Sequence, residues 1–132
     1  MDREYEYIEK IKDVLSEYKS IDYAFLFGSI LEKALPESDV DILIGAYLEP
    51  SKKADLAMKL ALALRRKVDV VLQKEAPCEV VLKAFSKGKP VLVNDKNRLK
   101  KDYLRNFYLY EDTNSLRRLR ISRIKRRHGY GG

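Results

Sequence analysis

The chain has 132 residues, of which 45% are hydrophobic and 36% charged, a composition that suits one compact soluble domain and excludes a disordered or fibrous chain. A single cysteine, Cys78, and a single histidine, His128, exclude an internal disulfide and a Cys/His zinc site, and they argue against a histidine-based nucleophile system. The formal net charge of +7 resides in the C-terminal tail, at Arg117, Arg118, Arg120, Arg123, Lys125, Arg126 and Arg127, while the preceding residues balance 20 basic against 20 acidic groups.

Tyr5, Ile8, Ile11, Val14, Leu15 and Tyr18 recur at helical spacing and predict an amphipathic helix over 3–19, with Glu4, Glu6 and Glu9 on its solvated face. This opening has no continuous apolar segment, so no secretory signal is expected; with one cysteine, that points to a reducing cytoplasm. The aromatic run Tyr23 to Phe27 reads as a buried strand ending at Gly28. Ser29 can open a short helix that stops before Pro36. Val40 to Ile44 reads as a second strand closed by Gly45, and Ser51 as the cap of a helix through Arg66. Val68 to Leu72 is a third strand. A helix follows between Pro77 and Gly88, with Cys78 a core residue at its start. Pro90 to Val93 is a short fourth strand, placed at an edge by its proline. No apolar run approaches the ~20 residues that span a bilayer, so no membrane is expected.

A helical region fills most of 96–126, with an interruption near Thr113 and Asn114. Tyr103, Phe107 and Tyr110 recur there as a buried stripe, or alternatively as a docking surface. Leu116, Leu119, Ile121 and Ile124 interleave with the tail arginines, which suits an arm that docks on an acidic protein better than a nucleic-acid site. Alternating strands and helices predict an α/β layer fold of three or four strands. We expect one domain over 1–95 and a helical, basic extension over 96–132 packed on it.

Chemistry concentrates at Gly28-Ser29 and at Asp39, Asp41 and Asp69. Strand side chains alternate faces, so Asp39 and Asp41 point one way while Val40, Ile42 and Ile44 point the other. Asp69 interrupts its own strand in the same manner. Aspartate is depleted from strands, and gathered carboxylates repel one another unless a cation binds them. A pair of Mg2+ ions relieves that repulsion and takes phosphate oxygens as further ligands. Gly28 lets a phosphate approach the backbone at a strand-to-helix junction, and Ser29 adds a hydroxyl donor. A phosphate cradle beside a carboxylate cluster is what metal-assisted nucleotidyl transfer requires.

The segment from Phe27-Gly28-Ser29 to Ser38-Asp39-Val40-Asp41, with Val68-Asp69-Val70 after it, resembles the signature of the DNA-polymerase-β-like nucleotidyltransferases. Within them it is most similar to the minimal nucleotidyltransferases (MNT antitoxins) paired with HEPN-domain ribonuclease toxins. The loop Ile30 to Ser38 is one residue shorter than that family's usual spacing, and Ile30 and Lys33 stand where it carries a basic residue and a glycine. The resemblance implies an α/β (α+β) fold: a mixed three- to four-stranded sheet with helices packed mainly on one face. It implies that Asp39 and Asp41 hold two Mg2+ ions, that Asp69 completes the catalytic metal site, and that Gly28 and Ser29 bind the ATP triphosphate. The implied activity is transfer of AMP to a protein hydroxyl, a tyrosine of a cognate HEPN toxin. Transfer to a small molecule, a catalytically dormant toxin-binding module, and nucleic-acid binding through the tail are the alternatives.

Overall fold

Val, Ile, Leu and Phe dominate three short runs, and side chains of that kind fit a pleated, half-covered surface. In the computed structural model, which describes residues 3–32 and 39–127 and the side chains of 5–31 and 39–114, those runs become β1 (Tyr23–Phe27), β2 (Val40–Gly45) and β3 (Val68–Leu72). A fourth strand, β4 (Lys89–Val93), completes the sheet, and the helices are α1 (Arg3–Leu15), α2 (Ser29–Glu32), α3 (Pro50–Leu64), α4 (Cys78–Lys87) and α5 (Lys96–Arg127). Lys33, Pro36, Ser38 and His128 lie outside the described residues, as do the side chains of Glu4 and of the basic tail from Leu116 onward.

The sheet runs β3-β2-β1-β4. β1 is antiparallel to β2 and β4, whereas β2 and β3 are parallel, so the expected mixed sheet has four strands. A parallel pair needs a crossover, and α3 supplies it. β4 lies at an edge, as its proline requires: Pro90 stands opposite Phe25, next to a break in register between Ala24 and Phe25.

The larger core lies on one face of the sheet. There Ile11 and Leu15 of α1 and Leu56, Leu60 and Leu64 of α3 cover Ala24, Leu26, Val40, Ile42, Ile44, Val70 and Leu72. A smaller cluster on the other face joins Tyr23, Phe25, Phe27 and Leu43 to Val81 and Ala84 of α4, with Leu99 of α5 packed against it. Gly45 admits the Tyr23 ring, because a Cβ there would collide with it. Among the described residues no helix is long and apolar enough to cross a membrane.

Several element ends differ from the sequence expectations. α1 stops at Leu15 rather than 19, because the Glu17 and Tyr18 amides tighten onto the Val14 and Leu15 carbonyls three residues back; Tyr18 still packs on the core from the turn. Pro50 is the first helical residue of α3, so Ser51 lies inside the first turn and caps nothing; the helix ends at Leu64 with Arg65 left-handed at φ 54°. Cys78 begins α4 but is only half-buried. The interruption expected near Thr113 is absent: α5 runs through it, and the Thr113 hydroxyl donates to the Leu109 carbonyl 2.9 Å away.

The stripe expected on α5 is the largest correction. Tyr103 and Phe107 are 42% and 40% exposed, and α5 instead turns Asp102 and Asn106 inward. The Tyr23 hydroxyl donates to Asp102 Oδ2 at 2.7 Å, and Asn106 Nδ2 donates to Gln73 Oε1 at 2.7 Å. Buried polar groups must be paired. These two pairs fix which side of the helix faces the sheet.

Candidate active site

The β2 alternation sends Val40, Ile42 and Ile44 into the larger core and leaves Asp39 and Asp41 on the opposite face. β3 repeats the pattern, with Val70 and Leu72 in that core and Asp69 exposed on the far side. Because β2 and β3 are parallel and in register, Asp41 and Asp69 are direct partners across the pair. Phe27 of β1 is the partner of Asp41 on the other flank. The three aspartates therefore share one face at one end of adjacent strands.

The electrostatics agree with that placement. Burial, and then the neighbouring carboxylates of Asp69 and Asp39, push the Asp41 carboxyl up from 3.8 to about 6, with Lys83 drawing it partly back. Among the described residues no three acidic, cysteine or histidine side chains are already gathered into a cage for a metal ion. The aspartates are near enough to repel, yet not drawn together. Three oxygen-donor groups under mutual repulsion suit a hard divalent cation, which gains from each of them.

Gly28 closes the strand end beside this group. Its φ is +92°, a region that side chains rarely adopt, and a Cβ there would collide with the Asp41 carboxylate. Ser29 follows as the half-buried first residue of α2. What these residues offer an anion is the Ser29 hydroxyl and, at Gly28, a backbone uncovered by any side chain.

The structure adds residues that the sequence did not single out. A cleft of about 410 Å3 is bounded by Phe27, Asp41, Lys53, Asp69, Glu75 and Val80, among others. Lys53, from the first turns of α3, pairs with Glu75 at 3.2 Å on its wall. Nothing about Lys53 in an alternating Lys/Ala/Leu helix marks it as a site residue; only the crossover brings it here.

The chain matches the family model described as polymerase beta, nucleotidyltransferase, over residues 9–97. No curated protein matches it. Among solved structures it is similar to a chain of the toxin-antitoxin MntA-HepT (22% identity, TM-score 0.72, covering 92% of this chain and 98% of that one). It is similar to a chain of a toxin-antitoxin with AMP-PNP (24%, TM-score 0.74, 89% and 97%). A third likeness is to a chain of the tri-AMPylated Shewanella oneidensis HEPN toxin in complex with MNT antitoxin (23%, TM-score 0.72, 91% and 97%). At these identities the likeness shows a shared fold. The family match spans well over half the chain, and it falls on the strands that carry Gly28, Asp41 and Asp69: the protein belongs to the polymerase-β nucleotidyltransferase family.

Proposed function

We propose that this nucleotidyltransferase is Mg2+-dependent, transfers AMP from ATP to a tyrosine hydroxyl of a HEPN-type toxin, and so acts as an antitoxin in the cytoplasm. In this reading residues 1–95 form the catalytic domain and 96–132 its helical extension. The observation that carries the chemistry is the register pairing of Asp41 with Asp69, with Asp39, just before β2, near enough to raise the Asp41 carboxyl. The partner and the nucleotide are supported by the similar structures, which are described as toxin-antitoxin assemblies, one with AMP-PNP and one with an AMPylated toxin.

Asp39 and Asp41 would hold two Mg2+ ions, with Asp69 as a further ligand; when bound, the ions would neutralise phosphate charge and acidify the acceptor hydroxyl. Gly28 and Ser29 receive the triphosphate: the glycine leaves its backbone uncovered, and the serine hydroxyl donates. Asp69 is the exposed member of the register pair, so it meets an incoming protein hydroxyl and orients it. The acceptor oxygen forms a bond to the α-phosphorus as the bond to pyrophosphate breaks, in line. The hydroxyl proton passes to the Asp69 carboxylate and from there to solvent.

The test is incubation of the full chain with α-labelled ATP, Mg2+ and the protein product of the neighbouring gene. Label reaches that protein with the native chain and fails to do so with Asp39→Asn or Asp41→Asn. Equal labelling by both variants refutes the site.

A further inference from the structure

α5 is only partly covered by the domain it packs on. Its inward side is polar, through Asp102 and Asn106, and its outward surface carries Tyr103, Leu104, Phe107, Tyr108 and Leu109, each at least 40% exposed. The aromatic members form a connected row: Phe85 to Tyr103 at 6.1 Å, Tyr103 stacked on Phe107 at 6.4 Å, and Phe107 edge-on to Tyr108 at 5.9 Å. Tyr103, Leu104, Phe107 and Tyr108, neighbours at helical spacing, form the kind of apolar patch that marks an interaction site.

The ground on either side of this row specifies the occupant. On one flank an apolar hollow of about 310 Å3 is formed by Phe25, Phe85, Leu99 and Tyr103, with Lys96 and Lys100 at its mouth. On the other, a hollow of about 270 Å3 is walled by Lys74, Arg98, Lys101 and Arg105 around Asp102. Asp102 cannot neutralise that wall, because it already accepts from the Tyr23 hydroxyl at 2.7 Å and from Arg98 Nε at 3.0 Å. Arg98 is also held by Asp22 at 3.2 Å. Lys74, Lys101 and Arg105 have no ion-pair partner among the described residues. The same helix continues into the run of seven basic residues that ends the sequence. An apolar centre of aromatic residues with a rim of one sign describes a protein interface whose other half carries the opposite sign.

We propose that this face of α5 docks an acidic protein segment, with a large apolar side chain in the Phe25–Phe85–Leu99–Tyr103 hollow and carboxylates on Lys74, Lys101 and Arg105. This rests on the reading of the chain as an antitoxin with a HEPN-type protein partner, and it assigns the surface that holds that partner. The surface shares no lining residue with the cleft that holds Asp41 and Asp69, so docking and nucleotide chemistry are separable.

The experiment measures affinity of the full chain for a HEPN-type protein, the product of the neighbouring gene where that is one, by calorimetry at two salt concentrations, with AMP-PNP binding as the control for an intact cleft. The double variant Lys101→Glu/Arg105→Glu is expected to weaken partner binding by tenfold or more and to remove most of its salt dependence. Phe107→Ala is expected to weaken it about tenfold, in keeping with a central aromatic anchor. Both variants retain native AMP-PNP affinity and native melting temperature. If the native chain fails to bind the HEPN protein, the antitoxin reading falls and takes this surface with it. If the native chain binds and both variants bind equally well, the surface alone is wrong. Loss by the charge variant of binding to a labelled single-stranded RNA, with partner binding unchanged, overturns the proposal in favour of a nucleic-acid site.

Discussion

Gly28 stands so close to the Asp41 carboxylate that no side chain fits between them. The contact joins the strand end proposed to receive phosphate to the strand that presents Asp41. Gly28→Ala must shift one or both, and it also forces alanine into φ +92°. We expect a stability loss of about 1–3 kcal/mol, read by urea titration, and a loss of nucleotidyl transfer greater than that destabilisation explains. Native activity in a folded Gly28→Ala protein would refute the coupling.

Asp41 also sets a pH dependence whose sign is fixed. Its carboxyl titrates near about 6 in the folded chain, against 3.8 ordinarily. A carboxyl raised in this way favours folding below its unfolded value and loses that contribution as pH rises through the folded one. Asp41 is only half-buried, so solvent screening brings the cost of its charge to about 1 kcal/mol. In chelator, Asp41→Asn is expected to be more stable than the native chain above pH 6, with the advantage vanishing below pH 4. Denaturant titrations at pH 3.5 and pH 8 measure it.

Cation binding reverses that penalty. Above pH 6, adding Mg2+ should raise the melting temperature of the native chain, because a divalent ion relieves the repulsion among Asp39, Asp41 and Asp69. The rise should shrink strongly in Asp69→Asn, and chelator should abolish transfer. An equal thermal shift in the Asp69 variant would remove that residue from the site.

Tyr23 and Asp102 provide a control remote from the chemistry. Tyr23→Phe removes the hydroxyl from Asp102 but leaves Arg98 on the carboxylate, so a loss of about 1 kcal/mol is expected. Asp102→Ala strands the buried hydroxyl and leaves Arg98 with Asp22 alone, and should cost about 2–3 kcal/mol. Tyr23→Phe should leave AMP-PNP affinity unchanged, as titration calorimetry will register.

Much of this was legible in the sequence, for reasons that differ from element to element. The strands stood out because five- and six-residue β-branched and aromatic runs end at glycines or polar turns, and the structure places β1 and β3 on the expected residues. Asp41 and Asp69 were conspicuous because each breaks such a run. Their exact opposition was not legible, since it depends on β2 and β3 pairing in parallel across α3. Nor was the collision that bars a side chain from Gly28. The misreading of α5 is the most instructive: Tyr103 and Phe107 have helical spacing, but the partners waiting on the sheet side are the Tyr23 hydroxyl and the Gln73 amide. Hydrogen-bond demand decided the rotation of that helix against hydrophobicity.

The parallel pairing of β2 with β3 also governs when the protein becomes competent. A growing polypeptide that has emerged only as far as the β1–β2 hairpin carries two of its three aspartates and lacks the last until the long-range crossover closes. On the proposed chemistry, competence is thereby tied to completion of the sheet, and a half-made copy is silent.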